Sequence, residues 1–221
     1  MAVLTINGDI IPNEYDEVYS FFGLDGTSPN GIRKAIAEKP EGEKLVVQIN
    51  SPGGRVDAGQ EIYSLLKERN DVEIQVIGMA CSAASLIAMA GPCFMSEPAM
   101  IMIHNAASMA AGDYHEMEKE AEALKAVNEA IANAYVSKTG KPLEDILQLM
   151  DDETWIPTKK AVELGFADGI IPRETQATNY FGSSLAVTRD QIEAFRKERE
   201  DKSKNEKRKK AILDDLYRYG A

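Results

Sequence analysis

The chain predicts an α/β fold in which parallel strands alternate with helices, and three observations carry that expectation. Apolar runs of strand length at 45–49, 72–77 and 99–104 are separated by segments of helical periodicity. The connections between them are short, as βαβ units require. Two of these strands run into turns of small residues, Ser51-Pro52-Gly53-Gly54 and Gly78-Met79-Ala80-Cys81-Ser82. Parallel sheets build their sites at such strand ends.

Taken in order, 3–11 reads as a strand interrupted at Gly8, and 14–22 as a short amphipathic segment. Residues 23–31, rich in Gly, Asp, Ser, Pro and Asn, read as a loop, 31–38 as a short helix and 40–44 as a turn. In the helix predicted over 56–69, Ala58, Ile62, Leu65 and Leu66 share one face. The strand 72–77, an apolar helix over 82–89 and the strand 99–104 complete the alternation. Asp113 followed three residues later by Glu116 marks a capped helix start. Met117, Ala121, Leu124, Val127, Ile131 and Tyr135 then recur at steps of three and four. This helix, about 113–139, is long for one lying on a small sheet, so part of it is expected to project. Helices over 142–150 and 158–164 and a strand over 166–171 follow. Residues 189–210, almost entirely charged and polar, predict a solvated helix or a disordered tail. The expected organisation is therefore one domain over 1–186 and a charged C-terminal tail over 187–221.

Composition narrows the function. Hydrophobic residues at 44% and charged residues at 28% are ordinary for a globular protein. A net charge of −11 argues against nucleic acid as a partner, since phosphate binding needs clustered Lys and Arg. From Val187 onward there are 11 basic against 8 acidic residues, so the acidity lies in the preceding domain. The start lacks the basic region of a signal peptide. The longest apolar stretch, 83–95, is broken by Ser85, Gly91 and Pro92 and is shorter than the roughly 20 residues of a membrane span. Cys81 and Cys93 form neither a metal-ligand spacing nor a disulfide framework, and read as buried thiols in a reducing compartment, the cytoplasm.

Paired glycines let backbone N–H groups approach a ligand closely, and a helix start adds unpaired donors. Gly53-Gly54 beside the helix that Ser82 opens therefore looks like an oxyanion hole beside a nucleophile. Ser82 taken alone would be an ordinary helix N-cap. Ser85, one turn later, reads as a small packing residue, and Cys81 is an alternative nucleophile that points elsewhere on the turn. A serine needs a base. Of the two histidines, His115 lies among Glu116, Glu118 and Glu120 on an exposed helix face, whereas His104 closes a strand at the sheet's functional edge. A third, acidic group would orient the imidazole. Asp151, Asp152 and Glu153 are its candidates, while Asp168 reads as a turn cap.

These residues carry a resemblance. Ile49-Asn50-Ser51-Pro52-Gly53-Gly54, the Gly78, Ala80, Ser82 pattern and Met102-Ile103-His104 resemble, in order, the signatures of ClpP-type serine peptidases. Ala161-Val162-Glu163-Leu164-Gly165-Phe166-Ala167-Asp168 resembles that family's closing helix and strand. The resemblance covers about 44–172. It implies a ClpP/crotonase-like spiral of βαβ units, a projecting handle helix and homo-oligomeric rings that can stack face to face. It implies Ser82 as nucleophile, His104 as base, and the amides of Gly54 and Ala83 as the oxyanion hole. Where the family has Asp-Arg-Phe this chain has Glu153-Thr154-Trp155, which puts Glu153 in the triad, with Asp152 a register slip away. Residues 21–40 and the charged tail resemble the phage and prophage head-maturation branch more than the housekeeping peptidase.

The expected function is a cytoplasmic serine endopeptidase acting on phage scaffold or capsid protein, its substrate lying as an extended strand beside Gly53 and Gly54. It needs no metal or organic cofactor, and an ATPase partner is left open. The alternatives are a housekeeping ATP-dependent proteolytic subunit, a crotonase-type acyl-CoA enzyme and an inactive shell component. A membrane-associated Ser–Lys peptidase, which shares the Ser-Pro-Gly-Gly turn, is disfavoured by His104 and by the lack of an apolar anchor.

Overall fold

In the computed structural model, which describes residues 1–172, the predicted strands join one sheet. The tail expected over 187–221 lies outside the described residues. The strands are β1 (Ala2–Ile10), β2 (Gly26–Thr27), β3 (Leu45–Gly54), β4 (Val72–Cys81), β5 (Cys93–Met95), β6 (Met100–Ile103), β7 (Thr154–Pro157) and β8 (Gly169–Ile170). The helices are α1 (Asp16–Phe22), α2 (Pro29–Glu38), α3 (Val56–Lys67), α4 (Ala83–Ala88), α5 (Tyr114–Thr139), α6 (Leu143–Asp151) and α7 (Thr158–Leu164). Parallel pairing runs β2-β1-β3-β4-β5-β8, while β6 pairs parallel to β4 and antiparallel to β7. This is the predicted α/β fold with its parallel sheet and covering helices. No helix of the described residues is long and apolar enough to cross a membrane.

The core follows from the pattern. In β3, Leu45, Val46, Val47 and Ile49 are all buried, because a central parallel strand is covered on both faces. Ala58, Ile62 and Leu66 of α3 are buried as their periodicity predicts. Each buried Val, Leu or Ile side chain contributes about 1.5–3 kcal/mol by leaving water.

Two strands are longer than predicted, and the extra length builds the site. Ser51-Pro52-Gly53-Gly54, read as a turn, stays extended within β3 because β1 continues the ladder beside it, with Asp9 opposite Gly53 and Ile10 opposite Gly54. β4 runs on to Cys81 through a bulge, since Ile49 pairs with Val76 but Ser51 pairs with Ala80. Asn50 Oδ1 spans the irregularity by accepting from the Met79 amide at 3.2 Å. Ile74, Gln75 and Val76 then pair with β5, whereas Met79, Ala80 and Cys81 pair with β6. The strands β2, β5 and β7, of two to four residues, leave no periodic signal, and β8 is shorter than the predicted 166–171.

The capping box of α5 is present, with Asp113 accepting from the His115 and Glu116 amides and Glu116 reaching back to the Asp113 amide. Its 26 residues span about 39 Å. Its buried residues, Ile131, Ala132, Ala134 and Tyr135, lie near its C-terminal end, while Met117 is 39% exposed. The first half is thus largely exposed to solvent.

An ionic cluster ties the loops that precede β3 and β4. Arg69 grips Asp71 at 2.9 and 2.7 Å, and the almost buried Lys39 ammonium adds a contact at 3.1 Å. Hydrogen bonding from Arg69, then from Lys39, holds the Asp71 carboxyl down to about 2. A carboxyl lowered by folding stabilises the protein above its ordinary value near 3.8, and that contribution is lost as pH falls toward about 2. Asp71→Asn should therefore lower the melting temperature by a few degrees at pH 7. Melting curves should show the gap to wild type closing between about pH 4 and 2. A gap that persists unchanged at pH 2 would discard this account.

Candidate active site

Three parallel strands, β3, β4 and β6, end side by side and carry the predicted residues to one edge. The last pairing of β4 with β6 sets Cys81 beside Met102, and the next amide, that of Ser82, donates to the Met102 carbonyl at 2.9 Å. His104 follows β6 directly. Its Nε2 and Ser82 Oγ lie 2.7 Å apart, a hydrogen bond. Ser82 makes no side-chain cap for α4, so the ordinary N-cap role does not hold. Its backbone sits at φ 53, ψ −125, a conformation that a residue with a Cβ adopts at a cost of about 1–3 kcal/mol. Such strain persists where the surroundings over-determine it, and it turns the hydroxyl out of the helix toward the imidazole.

The end of β3 closes the other side. A Cβ on Gly53 would fall 2.5 Å from the Cys81 carbonyl oxygen, 2.7 Å from Ser82 Cβ and 3.1 Å from the Ala83 nitrogen. Only glycine permits that approach, and its φ of 99 is itself unfavourable for other residues. Gly54 is equally confined, since a Cβ there would meet the Ile10 carbonyl oxygen at 2.3 Å. The Gly53 amide is engaged by Ser51 Oγ at 3.1 Å, and Ser51 Oγ in turn donates to the Gly8 carbonyl at 2.6 Å. Ala83 opens α4, where first-turn amides have no partner within the helix.

Beside this edge lies a small apolar cleft bounded by Val56, Leu86, Ala106, Ile131 and Tyr135 together with Ser82, Ala83 and His104. Its open volume is about 10 Å³, room for roughly one water. Cys81 is buried and burial pushes its thiol up, which disfavours the thiolate a cysteine nucleophile needs. His115 is exposed on the first turn of α5, its ring 3.9 Å from that of Tyr114.

The acidic residues separate by their partners. Asp151 Oδ1 accepts from Asn105 Nδ2 at 2.6 Å, and Asp152 Oδ1 accepts from Gln148 Nε2 at 3.1 Å. The antiparallel ladder of β6 with β7 ends with Ile103 paired to Thr154, so Glu153 and His104 are the residues that adjoin its end, and no hydrogen bond joins them. Glu153 is exposed, lies at φ 46, and accepts from Trp155 Nε1 at 3.3 Å. Asp168 does not cap a turn in isolation. It accepts from the Cys93 amide at 2.6 Å and pairs with Lys138, joining β5 to α5.

Three contributors escaped the sequence reading. Asn128 Oδ1 accepts from the Ala106 amide at 2.8 Å and anchors the loop after His104. Ser85 is more than packing: its Oγ donates to the Ser82 carbonyl at 2.6 Å and contacts Tyr135 OH at 2.8 Å. Tyr135 was legible as an apolar position of the α5 stripe, but its hydroxyl carried no pattern of its own. Asn128 sits three residues before Ile131, and a polar residue next to a buried face was the available signal.

A strand-end serine hydrogen-bonded to a histidine on a parallel sheet is the frame of a hydrolase. The model of the Clp protease family matches residues 35–174, and the chain belongs to that family of proteases. The ATP-dependent Clp protease proteolytic subunit of Mesostigma viride is 30% identical over 172 residues, covering 74% of this chain and 75% of that protein. The subunit of the same description from Chlorokybus atmophyticus is 29% identical over 177 residues, 76% of this chain and 79% of the relative. The ATP-dependent Clp protease proteolytic subunit 1 of Chlamydia muridarum is 32% identical over 136 residues, 59% of this chain and 71% of the relative.

Proposed function

We propose that the protein is a serine endopeptidase in which Ser82 is the nucleophile, His104 the general base and Glu153 the acid that orients His104. The 2.7 Å contact between Ser82 Oγ and His104 Nε2 carries this reading. With the ring protonated at Nδ1, Nε2 takes the serine proton as Oγ attacks a peptide carbonyl, and later returns it to the leaving amine. The Gly54 and Ala83 amides would receive the oxyanion, the Gly53 amide being committed to Ser51. The register of β7 against β6 favours Glu153 over Asp152, whose carboxylate is engaged by Gln148. The substrate would lie extended along Gly53 and Gly54, held by main-chain hydrogen bonds.

The test is covalent labelling of the purified chain by a fluorophosphonate, with the modified residue mapped by peptide mass spectrometry. Labelling at Ser82 is the expected result. No labelling, or labelling elsewhere, would overturn the reading.

The substrate is phage scaffold or capsid protein, a reading that rests on residues 21–40 and on the charged stretch beyond Val187. The names of the relatives favour a second reading, a proteolytic subunit working with an ATPase. Nucleotide decides between them: a head-maturation protease cleaves its scaffold without ATP or a Clp ATPase, and a housekeeping subunit degrades folded protein only with both.

Self-association into rings belongs to the same proposal. Phe21 and Phe22 on α1, Met79, Met117 and Trp155 are exposed apolar side chains that an interface between copies would cover. Leu124 and Val127 on α5 are half-buried, and Glu118 and Glu122 flank them. Stacking of rings through α5 should weaken at low ionic strength, where these like charges are least screened. Light scattering should show a many-subunit species that Leu124→Glu breaks into smaller ones, with loss of peptidase activity. An active monomer indifferent to that substitution would remove the ring from the proposal.

A further inference from the structure

A hydrogen bond between α4 and α5 lies directly behind the nucleophile, outside both the dyad and the glycine strand. Ser85 Oγ contacts two groups, the Ser82 carbonyl oxygen at 2.6 Å and Tyr135 OH at 2.8 Å. A serine hydroxyl has one hydrogen. Directed to the carbonyl, which can only accept, it leaves a lone pair for Tyr135, so the tyrosine is the donor of the second bond. The order is therefore Tyr135 O–H to Ser85 Oγ, and Ser85 O–H to the carbonyl of Ser82. Both side chains are buried, Ser85 at 0% and Tyr135 at 1% exposure, so water does not compete with either bond. Burial also pushes the Tyr135 phenol up, which keeps it protonated and a donor throughout the working pH range.

The Ser82 carbonyl additionally accepts from the Ser85 amide at 2.9 Å and the Leu86 amide at 3.3 Å. The two amides are the ordinary first turn of α4. The hydroxyl is not, and it acts on the one residue whose backbone is held at φ 53, ψ −125. A carbonyl fixed from a second element resists relaxation of that residue toward an ordinary conformation. The ring of Tyr135 is itself immobilised against Phe166, centroids 5.8 Å apart.

We propose that Tyr135 is a positioning residue for the nucleophile: through Ser85 its hydroxyl pins the Ser82 carbonyl and thereby the direction of Ser82 Oγ toward His104. The inference rests on Ser82 being the nucleophile. It assigns to α5 a polar role at the site, beyond packing along the cleft.

The test uses the full-length protein and four variants, Tyr135→Phe, Ser85→Ala, the double variant and Ser82→Ala. Phe keeps the ring and deletes one oxygen. Tyr135→Phe should lower kcat and the rate of fluorophosphonate labelling together by about tenfold, with KM within about twofold, since a small misdirection of a reacting atom is costly. Ser85→Ala should lose at least as much. The decisive readout is the double variant: if Tyr135 acts through Ser85, adding Tyr135→Phe to Ser85→Ala changes nothing further. Independent losses that multiply, or a Tyr135→Phe enzyme within about twofold of wild type, would overturn the proposal. Should Tyr135→Phe fold poorly, judged by its melting temperature, a Ser85→Ala enzyme of unchanged kcat and labelling rate overturns it alone. Ser82→Ala separates the two levels. If it retains activity the nucleophile reading fails and this inference with it; if it is inactive, the outcome in the other three variants bears on Tyr135 and Ser85.

Discussion

Replacing Ser82 with Ala is expected to lower peptide hydrolysis by about 10⁶-fold and to abolish fluorophosphonate labelling. The magnitude follows from the unit that Ser82 and His104 form: with Oγ gone the base has nothing to activate, and only binding and oxyanion contacts remain. The fold should be unaffected. Ala83 and Ala84 already show that small apolar residues suit this turn, and Oγ makes no cap hydrogen bond whose loss would unwind α4. The melting temperature should therefore stay within a degree or two of wild type while activity disappears. Cys81→Ala is the matching control, since a buried thiol held protonated by its surroundings contributes no nucleophile. A Ser82→Ala enzyme that still cleaves, paired with an inactive Cys81→Ala enzyme, would move the nucleophile by one residue.

Glu153→Gln should cost about 10⁴-fold in kcat, and Asp152→Asn less than tenfold. The neutral amide cannot stabilise the imidazolium and can donate to Nδ1, which favours the tautomer that leaves Nε2 protonated and unable to act as base. Register separates the two acids: the β6–β7 ladder ends at Ile103 and Thr154, so residue 153 adjoins that end next to His104 and 152 is one step further away. Steady-state kinetics on both variants decides the matter. Equal, small losses would remove Glu153 from the triad. A large loss at Asp152 alone would mean that β7 slips by one residue in the working enzyme.

Much of this architecture was legible because its signals are local. Helix α7 was predicted over the same residues it occupies, 158–164, since a short amphipathic run between Pro157 and Gly165 has clear ends. The capped start of α5 was equally clear, because Asp113 and Glu116 satisfy each other's helix end without help from elsewhere. The serine, the histidine and the glycine pair could be chosen from sequence because each closes an apolar strand, and parallel strands put such ends at one edge.

Other features depend on partners far away in the chain. Pro52-Gly53-Gly54 has the composition of a turn, yet it is strand, because β1 offers a ladder that no window of sequence contains. Strands of two to four residues are held by their neighbours and have no periodicity to read. Ser85 illustrates the same limit in one side chain. By itself it is a small residue inside an apolar helix, and it becomes a link in the site only when Tyr135, fifty positions later, brings a hydroxyl to it. The sequence by itself determined the helices, the centres of the longer strands and which serine and histidine stand at strand ends, since periodicity and capping are short-range properties of the chain. Only the tertiary structure decided the strained turn of Ser82, the register of β7 on β6 beside His104 and the hydrogen bonds that reach the site from α5, because each is fixed by atoms that meet through packing rather than through proximity in sequence.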